Sequence, residues 1–213
     1  MVEVWARRGG RASAAAIGAA LAFLPGPMGG HLAPVLRAPP PIPRPLDPVD
    51  ARILERLPSL AVDGARRLGA VVREEARRAD LDPVLVLAVI GVESSWEPDA
   101  VSGRGARGLM QVRTVAQAVE ERDAGLPPGD AHDPIHNVRV GIRYLGRMLD
   151  VFGDVDLALV AYNAGPTRLA SYLQAVGEVP DALWAYARRV RREERKLRSE
   201  MARPGVLVAN VAR

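Results

Sequence analysis

The sequence has no cysteine among its 213 residues. This absence excludes disulfide frameworks, thiolate zinc sites, iron-sulfur clusters and cysteine nucleophiles together. Aromatic residues are also scarce, at 4%, so the core must be built from aliphatic side chains. Abundant alanine, valine and leucine favour helix. At this length the chain suffices for one domain of ordinary size with tails and is too short for two large domains.

Histidine is scarce too, and His31, His132 and His136 are the three that could ligate a metal ion. His132 and His136 lie four residues apart, but Pro134 stands between them and prevents the regular helix that would align their side chains. The sequence therefore argues against a metal site.

The net charge of +4 hides an uneven distribution along the chain. Residues 1–48 hold five basic and two acidic side chains, and residues 188–213 hold nine and three, which leaves 15 basic and 20 acidic for residues 49–187. A nucleic-acid-binding domain would concentrate positive charge on its folded part, so we expect no nucleic-acid partner. The basic ends suit an anionic membrane surface, a cell-wall polymer or an envelope complex, and the plain alternative is a solvated helix end and a targeting region.

The first 48 residues show targeting and spacer patterns. Three arginines precede a weakly apolar run over residues 12–24, which is the outline of an export signal and is shorter than the roughly twenty residues of a membrane span. We expect a signal or anchor segment over residues 1–33. Residues 34–48 are rich in proline and predict an extended linker.

From residue 49 the spacing of apolar residues becomes helical, and alternating strand patterns are absent. Asp82 followed by Pro83 is a strong helix start, because Asp accepts from free amides and Pro needs no donor there. The apolar run VLVLAVIGV that follows should be buried on every side. The other predicted helices run from a cap at Asp50 to Pro58, from Asp63 to Ala79, from after Gly108 to near Gly125, from Pro134 to Phe152, from Leu157 to Ala164, from Arg168 to Val176 and from Ala182 to about Met201. The fold class is all-α, with one helical domain over residues 49–192 and a basic tail over residues 193–213.

Glu93 is an anomaly, since it ends this fully apolar helix. Burial and the negative end of the helix dipole both favour the protonated acid, so its pKa should be raised. A protonated acid near neutral pH is what cleavage of a glycosidic bond requires. The alternative is that Glu93 marks where the helix reaches solvent, or pairs with an arginine.

Glu93 opens the segment ESSWEPDAVSGRGARGLMQ. This segment resembles the signature of the soluble lytic transglycosylase family, E-S-x-aromatic-x-P-x-A-x-S-x-x-G-A-x-G-L-M-Q. The positions in register are Glu93, Ser94, Trp96, Pro98, Ala100, Ser102, Gly105, Ala106, Gly108, Leu109, Met110 and Gln111. DPIHNVRVGIRYL, residues 133–145, is similar to a helix of the same family, and AYNAGP, residues 161–166, to the turn that closes its substrate cleft.

The resemblance implies a lysozyme-like catalytic domain with a cleft, flanked by flexible N-terminal and basic C-terminal segments. It implies Glu93 as general acid and base, with substrate-binding positions at Ser102, Met110, Gln111, Tyr162, Asn163 and Tyr186. All of these binding positions except Tyr186 have a plainer alternative, in which Ser102 turns the glycine-rich loop, Gln111 caps a helix, Met110 belongs to the core, and Tyr162 and Asn163 tie their turn together.

The sequence also departs from the family pattern. After Met110 and Gln111, Val112 is followed by Arg113 and Thr114, where the family continues towards a proline. Near the end, the family's E-T-x-x-Y-V run is matched at Tyr186 alone, since Ala182 and Leu183 occupy the E-T positions.

The resemblance implies a peptidoglycan lytic transglycosylase of the bacterial envelope or periplasm, exported, with an N-terminus that is either cleaved or kept as an anchor. It would cleave the MurNAc-GlcNAc β-1,4 bond to leave a 1,6-anhydroMurNAc end, with no cofactor. The alternatives are a hydrolytic muramidase of the goose-type lysozyme kind, a peptidoglycan-binding module that lost turnover, and a structural helical domain.

Overall fold

A computed structural model describes residues 45–203. The signal or anchor segment, most of the proline-rich linker and the residues after 203 lie outside the described residues. Within them, no helix is long and apolar enough to cross a membrane. The all-α class is confirmed, with α1 Pro48–Arg56, α2 Ala61–Arg78, α3 Pro83–Ser94, α4 Thr114–Asp123, α5 Pro134–Phe152, α6 Val155–Ala164, α7 Pro166–Val176 and α8 Asp181–Met201, a 3-10 turn at Pro58–Leu60, and two short strands, β1 Ala106–Arg107 and β2 Val112–Arg113.

Helix α3 is the central element of the fold. Asp82 caps it, because its side chain accepts a hydrogen bond of 2.7 Å from the amide of Val84. Residues 85–90 are buried without exception, as predicted for a run that is apolar on every side. Helix α8 packs along α3, and α5 packs between α2 and α6.

The start of the first helix differs from the sequence prediction. The cap of α1 is Asp47 rather than Asp50, since Asp47 accepts from the amide of Val49 and Pro48 takes the first helical position. Asp50 is instead buried and pairs with Arg73 at 2.6 Å.

The predicted start of the fourth helix, after Gly108, is wrong, because α4 begins only at Thr114. Gly108 and Gln111 both have positive φ, 73° and 49°, and such dihedrals cannot continue a right-handed helix. The chain turns there and forms the antiparallel pair β1–β2, with Ala106 opposite Arg113.

Helix α8 extends past the predicted domain boundary at residue 192. Leu197 is fully buried. Glu200 forms an ion pair with Arg52 of α1, with 3.0 Å between Oε2 and Nη1. Residues 193–201, which the sequence assigned to the basic tail, therefore form part of the packed helix.

Candidate active site

Glu93 lies in the last turn of α3, half-buried. The helix stops there because Ser95 adopts a left-handed conformation and the buried Ser94 hydroxyl donates to the carbonyl of Ile90 at 3.2 Å. Burial raises the pKa of Glu93 above its ordinary value, as expected for a carboxyl group that has lost hydration. The side chain is therefore suited to hold a proton and to deliver it.

Tyr186 of α8 contacts the carboxyl group of Glu93. Its hydroxyl donates a hydrogen bond of 2.6 Å to Oε1 of Glu93, and its ring is buried. Arg189, one helical turn further, lies over that ring at 5.7 Å from the centroid. The Tyr186 hydrogen bond and the charge of Arg189 both lower the pKa of Glu93, against the larger effect of burial.

Tyr162 of α6 lies beside the same carboxyl group. Its pKa is raised well above the ordinary value, chiefly by burial and then by the charge of Glu93. Its hydroxyl donates to the carbonyl oxygen of Met110 at 2.6 Å, and its ring packs at 5.2 Å from that of Tyr144. Tyr162 therefore ties α6 to the loop that follows Gly108, rather than tying its own turn together.

The glycine-rich loop is organised by Ser102 and Gln111. The Ser102 hydroxyl accepts from the amides of Arg104 and Ala106 at 3.3 and 3.0 Å, so Ser102 does turn the loop. Gln111 caps no helix; its Nε2 donates to the carbonyls of Ala100 and Gly108, both at 3.0 Å. With both of its N–H groups engaged, the side-chain oxygen is the polar atom of Gln111 that remains for a ligand.

Buried Asn137 of α5 anchors this loop to the helical core. Its Oδ1 accepts from the amide of Met110 at 2.8 Å, and its Nδ2 donates to the carbonyls of Arg107 and Ala131 at 2.9 and 2.8 Å. Gly108 passes so close that a Cβ there would lie 2.3 Å from the Ala131 oxygen. The position of the loop relative to Glu93 is thus set by one buried amide and one glycine.

An open cavity of about 260 Å³ lies in front of Glu93. Five of the predicted site residues line it, namely Glu93, Ser102, Gln111, Tyr162 and Asn163. Asn163 is exposed at the end of α6.

Two predicted site residues lie outside the lining. Tyr186 stands behind Glu93 and acts on it through the hydrogen bond. Met110 needs correction as a substrate-binding side chain, because it is fully buried and packs against Gly141, where a Cβ would come within 2.6 Å of it.

Among the polar side chains of the lining, sequence reasoning missed three as site residues, Arg104, Arg113 and Tyr144. Tyr144 stands inside the helix segment that resembled the family, so its position carried a signal. Arg104 lies at a variable position of the signature, and Arg113 is one of the departures from it.

The two histidines noted in the sequence have structural contacts. His136 Nε2 lies 2.8 Å from Oε1 of Glu121, and His132 Nδ1 lies 3.3 Å from the carbonyl of Pro98. Within residues 45–203, the structure brings no three histidine or carboxylate side chains together as a metal site.

The model of the transglycosylase SLT domain matches residues 70–185, which include Glu93, the glycine-rich loop and the helices that carry Tyr144 and Tyr162. This chain belongs to the transglycosylase SLT domain family. The match ends one residue before Tyr186.

Relatives of this SLT domain come from a phage and from bacteria. The chain is 36% identical over 104 residues to a transglycosylase of Enterobacteria phage PRD1, covering 49% of this chain and 37% of the phage protein. It is 34% identical over 92 residues to the soluble lytic murein transglycosylase of Escherichia coli K12, covering 41% of this chain and 14% of that protein. The chain thus spans well under half the length of these relatives.

Solved structures resemble the SLT domain at the level of the fold. An inactive mutant of the lytic transglycosylase Slt from Pseudomonas aeruginosa superposes with a TM-score of 0.56 at 27% identity, over 68% of this chain and 26% of that one. The 70 kDa soluble lytic transglycosylase of Escherichia coli gives a TM-score of 0.58 at 23% identity, over 75% and 27% of the two chains.

Proposed function

We propose that this chain is a peptidoglycan lytic transglycosylase. It would cleave the β-1,4 bond between MurNAc and GlcNAc without water and leave a 1,6-anhydroMurNAc end. The observation that carries the proposal is the half-buried Glu93, with its raised pKa, at an open cavity inside an SLT domain. The names of the relatives, among them a soluble lytic murein transglycosylase, support the same activity.

Glu93 would act twice in one turnover. As the acid it donates its proton to the glycosidic oxygen, so that the bond from MurNAc C1 breaks and GlcNAc leaves as an alcohol. As the resulting carboxylate it takes the proton of the MurNAc C6 hydroxyl, whose oxygen bonds to C1 and closes the anhydro ring. Glu93 ends protonated as it began, and the substrate gains and loses no atoms.

The number of carboxyl groups that line the cavity supports this route over hydrolysis. Glycosidases that add water generally use two carboxyl groups across the scissile bond. Among the described residues that line the cavity, Glu93 supplies the single carboxyl group. The nearby Asp99 has a side chain that is 95% exposed and lies outside this lining. A scheme that needs one acid therefore fits the cavity.

Neutral polar groups would bind the sugars. The free side-chain oxygen of Gln111 suits an acetamido N–H, and the hydroxyl of Ser102 and the amide of Asn163 lie on the same lining. Tyr162 would hold the loop against α6, and Tyr186 would act as a positioning residue for Glu93. The acetamido group of the substrate could stabilise positive charge at C1.

We further propose that the chain acts in the periplasm or cell envelope, on peptidoglycan glycan strands. This setting follows from the proposed substrate and from the export-signal pattern of the first 33 residues, and association with the membrane or an envelope complex would use the basic ends.

The proposal is tested by incubating the full chain with purified peptidoglycan and measuring the masses of the released muropeptides, beside a Glu93→Gln variant. Anhydromuramyl products from the wild type alone are expected. Gln cannot donate an acid proton, so the variant should lose at least about 10³-fold in rate. Reducing-end products would indicate a hydrolase instead, and binding without products would indicate a peptidoglycan-binding module.

A further inference from the structure

We propose that Arg104 and Arg113 form a carboxylate-binding subsite in the cavity and that its ligand is the peptide stem of the glycan strand. This inference rests on the proposed function, because it names the part of the substrate that the subsite recognises.

The two arginines face the same space from one small structure. Arg104 stands in the turn between Ser102 and β1, and Arg113 lies on β2, directly opposite Ala106. Both arginines and Ala106 line the cavity. The hydrogen bonds of Ser102 to the loop amides and the β1–β2 pair hold the backbone of both positions in place.

Neither guanidinium group has a partner in the described part of the chain. Both side chains are exposed, and neither forms a hydrogen bond or ion pair with another described residue. Most other arginines near the domain surface do pair, as Arg143 does with Glu75 and Arg147 with Glu120. Two unpaired cations at one cavity leave room for an anionic group of a ligand.

The arginines do not serve to tune the acid. Among the charges that act on the pKa of Glu93, the single cation is Arg189, which stands behind it on α8. Arg104 and Arg113 are not among the groups that shift this pKa. Their role has to be sought with the ligand.

The chemistry of the substrate identifies that ligand. The sugar units of a peptide-bearing strand are neutral, and the carboxylates belong to the peptide stems. A guanidinium group binds a carboxylate through parallel N–H bonds. A cavity lined by neutral groups for sugars and two arginines at its loop side therefore matches a glycan strand whose stem extends over the β1–β2 turn.

The test measures binding to the full-length Glu93→Gln variant, which holds the substrate without the acid proton. The probe is a short peptide-bearing glycan oligosaccharide, with free stem carboxylates or with the same carboxylates coupled to glycinamide. We expect the free form to bind about three- to tenfold more tightly. Adding Arg104→Gln or Arg113→Gln should bring this ratio towards one, whereas Arg192→Gln, an exposed position on α8, should leave it unchanged.

Equal binding of the two probe forms, or a ratio that persists in both cavity variants, would overturn the subsite. Because the readout needs no cleavage, a wild type that keeps the preference but releases no anhydro product would overturn the proposed function alone. Absence of binding to either probe would overturn both.

Discussion

Catalysis by this site depends on the protonation of one carboxyl group, that of Glu93. Burial raises the pKa of Glu93, and the hydrogen bond from Tyr186 and the charge of Arg189 lower it in part. The acid must be protonated when substrate arrives, so the rate should fall as pH rises through the pKa of Glu93.

Replacing Tyr186 by Phe removes the hydrogen bond that stabilises the carboxylate. The pKa of Glu93 should then rise further, and the alkaline limb of the kcat/KM profile against pH should move to higher pH. The measurement is that profile for the variant and the wild type, with Tyr172→Phe on α7 as the control that leaves the limb in place. A limb that stays fixed, or that moves to lower pH, would contradict the role given to Tyr186.

The sequence and its family resemblance singled out Glu93, Tyr162 and Tyr186, but not the hydrogen bond between Tyr186 and Glu93. An acid at the end of an apolar run is visible from local order, and so are the motif positions around it. Tyr186 lies 93 residues away along the chain, and its contact depends on how α8 packs along α3. No sequence pattern marked Arg104 or Arg113 as a binding residue. Their place in the cavity lining, without a partner in the described part of the chain, is visible only in the structure.

At the element scale, the loop before β2 depends on backbone geometry that glycine allows. Gly105 and Gly108 have nearly the same φ, 76° and 73°, but a Cβ at Gly105 meets open space, whereas one at Gly108 lies 2.3 Å from the Ala131 carbonyl. The pair separates the cost of the dihedral from the cost of the collision.

Gly105→Ala should therefore lower the free energy of unfolding by about 1 kcal/mol, from the left-handed conformation alone. Gly108→Ala should lower it by more than about 2 kcal/mol, since the loop must also move away from α5. Urea unfolding of both variants checks this. Equal losses would mean that the loop adjusts freely and that its contact with Asn137 is weak.

Helix α8 offers a second test at this scale. Leu197 is fully buried within the stretch that the charge count assigned to the tail, so Leu197→Ala should cost about 2–4 kcal/mol of unfolding free energy. Lys196→Ala, on the exposed side of the same turn, should change it by less than about 0.5 kcal/mol. A Leu197 variant as stable as the wild type would show that the domain ends before residue 193.

The extent of α8 to Met201 followed from apolar spacing, whereas the assignment of residues 193–201 to a tail followed from charge. Charge density along the chain favoured a tail, but the helix places Tyr186, Val190, Glu194 and Leu197 on one buried face while the arginines lie on the other. The same limitation explains the missing turn after Gly108, where apolar residues at helical spacing are held apart from a helix by Asn137 and by positive φ at Gln111.

At the scale of the whole molecule, the acid should reduce stability in exchange for activity. The pKa of Glu93 is higher in the folded chain than its ordinary value, so the folded state disfavours the carboxylate. Above that pKa the full penalty applies, and below the ordinary value of 4.5 it vanishes.

Glu93→Gln should therefore raise the melting temperature relative to the wild type. The difference should grow as pH rises from about 4.5 and disappear at lower pH, where both side chains are neutral. Thermal unfolding of the two proteins across this range is the measurement. A variant that is less stable at neutral pH would show that the charged carboxylate is stabilised by its surroundings.

The helical class, the order of the elements and the main cleft residues followed from periodicity, capping signals and the three family-like segments. These signals do not show which helices contact each other. Nor do they show which side chains of a motif line the cavity and which, such as Met110, are buried in the core.

Digestion of peptidoglycan in water labelled with oxygen-18 tests whether Glu93 cleaves the strand without water. We predict muramyl ends that carry no heavy oxygen and have the mass of the anhydro ring. Ends that are heavier by one labelled oxygen and bear a reducing group would contradict the account, because a water molecule would then have attacked C1.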